Sequence, residues 1–414
     1  PATPFSITND LVFDAYLPPL DNIIDAPDFE VDALGATDWT ARGLPAPRPV
    51  TETAHTGLRA VELGGLRPSP AVNVSVSISD SRNGQLVVDP SGTPHLVWIE
   101  TLFSREYIAH AERLPSGVWT ASEILSAGVT TNTAGDPARD KPALGFDAAG
   151  TAHVVWHHLP SGEVYYVNRP PGGAWSAPLA IASGLSTSNS SAIRLAVSAA
   201  GSAHVVWHSA ATDRSDIYYR GRDPAGVWGP IENVTGADLY ATEAAYPEIA
   251  VDAAETVHLA WQNGIGYYAS RPVSGSWSIP FGVTVWPFLL EQTRLSVDAA
   301  GQARAAWVGH AQGINAIVYA TIEGGFATST GLAYTSTQAL TLDRLLVDGT
   351  GSSQLGWTRG DGEVLHGGQG PGGWTSSNLS ASPASASSQI DLVSTSSGLW
   401  AVWREQGIGS ASGV

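Results

Sequence analysis

Along most of the chain, apolar and polar residues alternate in short runs that break at Gly, Pro, Asn and Asp. This is the pattern of half-buried strands joined by tight turns. One run, Val88-Asp89-Pro90-Ser91-Gly92-Thr93-Pro94-His95-Leu96-Val97-Trp98, comes back as Phe146-Asp147-Ala148-Ala149-Gly150-Thr151-Ala152-His153-Val154-Val155-Trp156. Each copy reads as a strand, a glycine turn and a second strand closed by tryptophan. The tryptophan recurs at Trp98, Trp156, Trp207, Trp261, Trp307, Trp357 and Trp403, roughly 50 residues apart, the length that four short strands and their turns need.

A second strand pair follows most copies. Ile217-Tyr218-Tyr219-Arg220, the turn Asp223-Pro224-Ala225-Gly226 and a strand opening at Trp228 are the clearest case. Tyr165-Tyr166 with Trp175 and Tyr267-Tyr268 with Trp277 match it; Tyr107 with Trp119, Val318-Tyr319 with Phe326 and Leu365 with Trp374 are degenerate versions. The expectation is an all-β chain: a seven-bladed β-propeller over residues 66–414, with blades near 85–126, 143–184, 193–236, 247–284, 293–334, 343–380 and 389–414. The seventh copy runs out of chain before an outer strand. Residues 71–78 precede the first blade at the right offset, so they are expected to close the ring as an N-terminal strand.

Residues 1–65 are expected to form an extended arm or a partial β module. Asp28-Phe29-Glu30, Asp38-Trp39-Thr40-Ala41-Arg42-Gly43 and His55-Thr56-Gly57-Leu58-Arg59-Ala60-Val61-Glu62-Leu63-Gly64-Gly65 resemble the opening of extracellular jelly-roll modules of the carbohydrate-binding type, with Thr56 where serine is usual. The turns Arg222-Asp223-Pro224-Ala225-Gly226-Val227-Trp228 and Arg271-Pro272-Val273-Ser274-Gly275-Ser276-Trp277 resemble degenerate Asp-boxes of sialidase-like propellers, and the whole resembles lectin-type bacterial extracellular propellers. A sialidase would need an arginine triad, a tyrosine nucleophile activated by glutamate, and an aspartic acid. Arg194, Arg294 and Arg344 share a repeat position, which is expected to spread them round the ring.

Composition narrows the partners. A net charge of −18 repels phosphate backbones, so nucleic acid is not expected as a partner. With no Cys there is no disulfide framework and no thiolate chemistry, and no run of about 20 apolar residues suggests a membrane span. The absence of Met fits a processed, secreted or surface-displayed chain.

The repeated polar residues invite chemistry but have a constructional reading. His95, His153, His204 and His258 hold one position in successive blades and are too widely spaced for one metal ion, whose nitrogen ligands lie at about 2.0–2.1 Å. Asp89 with His95, Asp147 with His153 and Asp252 with His258 read as clasps across a hairpin, continued by Asp298 with Arg304 and Asp348 with Gln354. Tyr166, Tyr219 and Tyr268, with Arg220, Arg271 and Trp286, are the candidate ligand-binding residues, since an aromatic face with a hydroxyl suits a sugar. His157-His158 with Glu163 and the carboxylates Glu100, Glu106, Asp136 and Asp140 are further polar candidates. No catalytic motif is present, no cofactor is expected, and calcium is the one candidate ion, for Asp-rich turns.

The functional expectation is an extracellular non-catalytic binding or scaffold protein, partnered by a glycan or a surface protein, with self-assembly through the N-terminal arm. The alternatives are a glycoside hydrolase or lyase of a sialidase-like propeller family, and a structural subunit of a surface filament or envelope layer.

Overall fold

The computed structural model describes residues 12–13, 56–63, 74, 81–102, 105–129, 141–158, 161–183, 192–209, 215–236, 244–283, 287–298, 300–323, 326–348, 350–380, 387–395 and 398–406. Among these the protein is all-β, built of four-stranded sheets. The first sheet is Ser81–Val88, Pro94–Leu102, Arg105–Glu112 and Glu123–Ile124, paired antiparallel in chain order. Five more sheets repeat this order, and a last sheet uses both ends of the chain. The first strand of each sheet contacts the first strand of the next, and Ser387–Thr395 contacts Ser81–Val88, so the inner strands form a closed circuit about an axis. This is a β-propeller.

Packing between sheets follows from the alternation. In every second strand, residues on one face meet the preceding sheet and those on the other meet the following one. Trp98, Trp156, Trp207, Trp261, Trp307 and Trp357 are each at most 1% exposed, and Trp403 is 3% exposed. Trp261, for instance, packs with Val206 and Tyr219 of the preceding sheet. Burying an aromatic of this size removes about 150–250 Å² from water, on the order of 4–6 kcal/mol each before entropy is counted.

Closure differs from the expectation for residues 71–78. The place beside Gly398–Gln406 is taken by Thr56–Leu63, antiparallel, with Ala60 opposite Val402, and Val12–Phe13 pairs parallel outside it. The segment that resembled a jelly-roll strand is therefore a third strand of the propeller's last sheet, not part of a separate arm. Of residues 71–78 only Val74 is described, and it is buried with Leu86, Leu96 and Trp98. The inner circuit is also sealed directly, because Asp391 Oδ2 accepts a hydrogen bond from Leu86 N at 3.3 Å.

Candidate axial anion site

The clasp residues lie within single sheets. His258 Nε2 is 3.2 Å from Asp252 Oδ2, while the other ring nitrogen, Nδ1, is 2.6 Å from the Tyr268 hydroxyl. His153 with Tyr166, at 2.8 Å, and His204 with Tyr219, at 2.7 Å, repeat the second contact. Asp147 lies 4.0 Å from His153, and Asp89 Oδ1 accepts from Ser91 N and Thr93 N across its turn. Burial drives His153 and His204 down to about 4 and the three tyrosines up to about 12, so all stay neutral near pH 7.

These contacts bear on the candidate ligand-binding set. Tyr166, Tyr219 and Tyr268 are at most 4% exposed, and none offers a ring face to a sugar. Tyr166 meets Trp228, and Tyr219 meets Trp277, edge-on across the seam to the next sheet. Arg271 reaches back to Glu232 at 2.7 Å and over the Tyr219 ring, and Arg220 donates to the carbonyls of Ile181 and Gly229. The structure thus commits these groups to the joins between sheets. Trp286, Asp136 and Asp140 lie outside the described residues. Glu100 is buried, accepting from Trp98 Nε1 and Ser81 Oγ; Glu106 pairs with Arg82; Glu163 accepts from Tyr165. His157 is buried and held near 4 by desolvation, and His158 contacts Ser161 at 2.6 Å, so that cluster does not converge either.

Convergence occurs on the axis. The inner strands of the first, fourth, fifth, sixth and seventh sheets each carry a β-bulge early in the strand. In three of them the bulge places a non-glycine residue in the left-handed region: Asn83 at φ 55°, Tyr246 at 52° and Gln292 at 55°. Such residues cost of order 1–3 kcal/mol each, and bulges re-aim the side chains beyond them. Just past the bulges, one level of the circuit presents Gln85, Glu248, Arg294, Arg344 and Asp391; the unbulged strands add Ala143 and Arg194 there, with Lys141 two residues earlier.

Together with Asp343 they line a cavity of about 60 Å³. Arg194 and Arg294 grip Glu248 Oε1 at 2.5 and 3.2 Å, and Lys141 and Arg344 flank Asp391 at 2.9 and 3.4 Å. Four cations thus meet three carboxylates. Burial raises Asp343 to about 6 against the pull of Arg294, and Thr358 donates to its Oδ2 at 2.9 Å. Asp391 shows the opposite balance: burial alone would raise it, but Lys141 and Arg344 hold it below the usual range. Arg344 and Lys141 are the more open cations, with side chains 35% and 25% exposed.

The expectation that Arg194, Arg294 and Arg344 spread apart is therefore corrected. A shared position on outer strands would separate them, but on inner strands the same position faces the axis, where the circuit is narrowest. The cavity's lining includes no tyrosine, so the nucleophile of the sialidase resemblance has no counterpart there among the described residues.

A small polar axial cavity in a propeller is the class of site that fold and geometry define. No protein-family model matches the chain, and no curated protein matches it in sequence. Solved structures do match by fold. A polysaccharide lyase described as an ulvan lyase of a new family, PL25, bound to [GlcA(1-4)Rha3S], aligns at TM-score 0.54 and 12% identity, covering 79% of this chain and 91% of that one. The polysaccharide lyase Uly1 aligns at TM-score 0.50 and 7% identity, covering 81% and 93%. The reading of the repeats as a non-catalytic binding or scaffold protein is corrected by this comparison: solved structures that share the fold are named as polysaccharide lyases, so a fold of this kind does not argue against catalysis. Among the described residues no helix is long and apolar enough to cross a membrane.

Proposed function

We propose that this protein is a lyase acting on acidic, uronate-containing polysaccharide, with the axial cavity as the subsite for a carboxylate. The observation that carries the reading is the gathering of Lys141, Arg194, Arg294 and Arg344 in one cavity of a chain whose net charge is −18. A cavity of about 60 Å³ suits an acid group better than a sugar ring, so the polymer would lie across the opening. The neighbours named as polysaccharide lyases support the reaction class.

Elimination passes the proton beside a uronate carboxylate to a base, forms a carbon–carbon double bond and breaks the bond to the glycosidic oxygen, which takes up the proton returned by that base. Paired cations on the carboxylate stabilise the charge that develops on it. Arg344 and Lys141, the more open cations, serve this role. Asp343, poised at about 6, is the base we assign, since a base works best when its pKa lies near the operating pH. On this reading the ring is seven-bladed and the protein works outside the cell, where polymeric glycan is found. Incubation with polysaccharides that carry or lack uronate tests it. Chain shortening confined to uronate polymers, with a new unsaturated end group, is expected. Cleavage that yields only saturated ends would make the protein a hydrolase, and the absence of cleavage would refute the enzyme reading.

A further inference from the structure

The first sheet departs from the clasp that its successors share. In the second, third and fourth sheets the third-strand residue facing the clasp histidine is a tyrosine, and the residue paired opposite that histidine is Asn168, Gly221 or Ser270. In the first sheet the tyrosine's place is taken by His110, and the residue opposite His95 is Glu112. Both changes add metal-ligating groups, and both fall at one clasp.

We propose that His95, His110 and Glu112 form a binding site for a divalent transition ion of the zinc type. His95 Nδ1 and His110 Nε2 are 3.1 Å apart, and His95 Nδ1 is 3.6 Å from Glu112 Oε2. Ligands at 2.0–2.1 Å from a tetrahedral ion lie about 3.3 Å from each other, so both separations bracket the required edge. All three ligand atoms lie within 4.8 Å of one another, which a small rotation of Glu112 closes. His95 Nε2 lies 3.5 Å from Asp89 Oδ2, the carboxylate that would orient a ligating imidazole from behind.

The surroundings fit. Both histidines are at most 3% exposed, walled by Phe146 and Trp175 of the second sheet, while the Glu112 side chain is 29% exposed and opens a path to solvent. Arg169 pairs with Glu112 at 2.5 Å and competes for it, so affinity of order micromolar is expected, not that of a closed structural site. Three protein ligands leave a coordination position open to water.

The test is titration of the tag-free, chelator-treated protein with cobalt(II) and zinc, read by the visible absorption of cobalt and by calorimetry. One equivalent bound is expected. His110→Tyr installs the residue that three other sheets carry, so it keeps the fold, and it should weaken binding at least about tenfold and abolish the metal-dependent rise in melting temperature. Glu112→Ser, which copies the fourth sheet, should weaken binding similarly. Cobalt binding by either variant with unchanged stoichiometry and affinity, or none by the parent protein, would overturn the proposal.

Discussion

Asp391→Asn removes one negative charge from the seam where the chain's last inner strand meets its first. Asp391 is fully buried, accepts hydrogen bonds from Lys141 Nζ and the backbone N–H of Leu86, and lies within ion-pair distance of Arg344 Nε at 3.4 Å. Breaking a buried ion pair from one side costs about 3–5 kcal/mol, because the partner's charge stays behind. Here both partners are partly open to water, and asparagine keeps an oxygen for the backbone donor, so roughly 2–4 kcal/mol is the reasoned loss. With an unfolding entropy of about 2.1 cal/mol/K per residue, a chain of this size should lose roughly 2–5 °C in melting temperature. The pH dependence has a definite sign. The folded-state pKa of Asp391 is depressed, so its contribution is present above the ordinary carboxylate range and fades as pH falls through the folded value. The gap between parent and variant should be full at pH 7 and should narrow below about pH 4. Calorimetric scans of both proteins across that range are the assay. Equal melting temperatures at pH 7, or a gap that widens on acidification, would refute the role given to Asp391 in closing the ring.

Further outcomes follow from other residues. A Cβ at Gly266 would sit 2.5 Å from Trp307 Cε2, so Gly266→Ala should destabilise by about 1–3 kcal/mol in denaturant titration. Glu255 holds a left-handed conformation, φ 60°, at the hairpin turn where Gly92, Gly150 and Gly201 stand in the first three sheets; Glu255→Gly should stabilise by up to about 1 kcal/mol, read by the same titration. Asp343 is raised to about 6, so the folded state favours its protonated form, and that advantage is lost as pH rises through 6. The stability of Asp343→Asn relative to the parent should therefore improve between pH 4 and 7, by roughly 1–3 kcal/mol; a flat difference would contradict the perturbed carboxylate.

The sheets could be read from the chain because their cause is local. Alternation, a turn and a buried tryptophan recur within each repeat, and the same signals order the strands. Pairing across the ends was not legible. The strand character of Thr56–Leu63 shows in its sequence, but nothing local says that its partner is Gly398–Gln406, more than 300 residues away. The axial site was hidden for a different reason. A bulge shifts the inward-facing register by one residue; the bulges at Tyr246 and Gln292 carry no glycine to announce them, and Gly84 beside Asn83 reads equally well as a turn residue. The repeat does not mark His110, because hairpin length differs between sheets and Tyr107 is the aromatic of that strand; strand pairing, Val97 opposite His110 as Val155 is opposite Tyr166, reveals the equivalence.

On the proposed function, the inner strands hold an acidic sugar at the axis. The direct measurement is the ultraviolet absorbance of unsaturated uronate released from a glucuronate-containing polysaccharide by the parent protein and by Arg344→Gln and Asp343→Asn. The parent should release it; Arg344→Gln should lower kcat/KM by at least about tenfold, and Asp343→Asn should abolish most of kcat while the protein still binds the polymer. Elimination that proceeds undiminished in both variants would place the chemistry elsewhere and contradict the axial site.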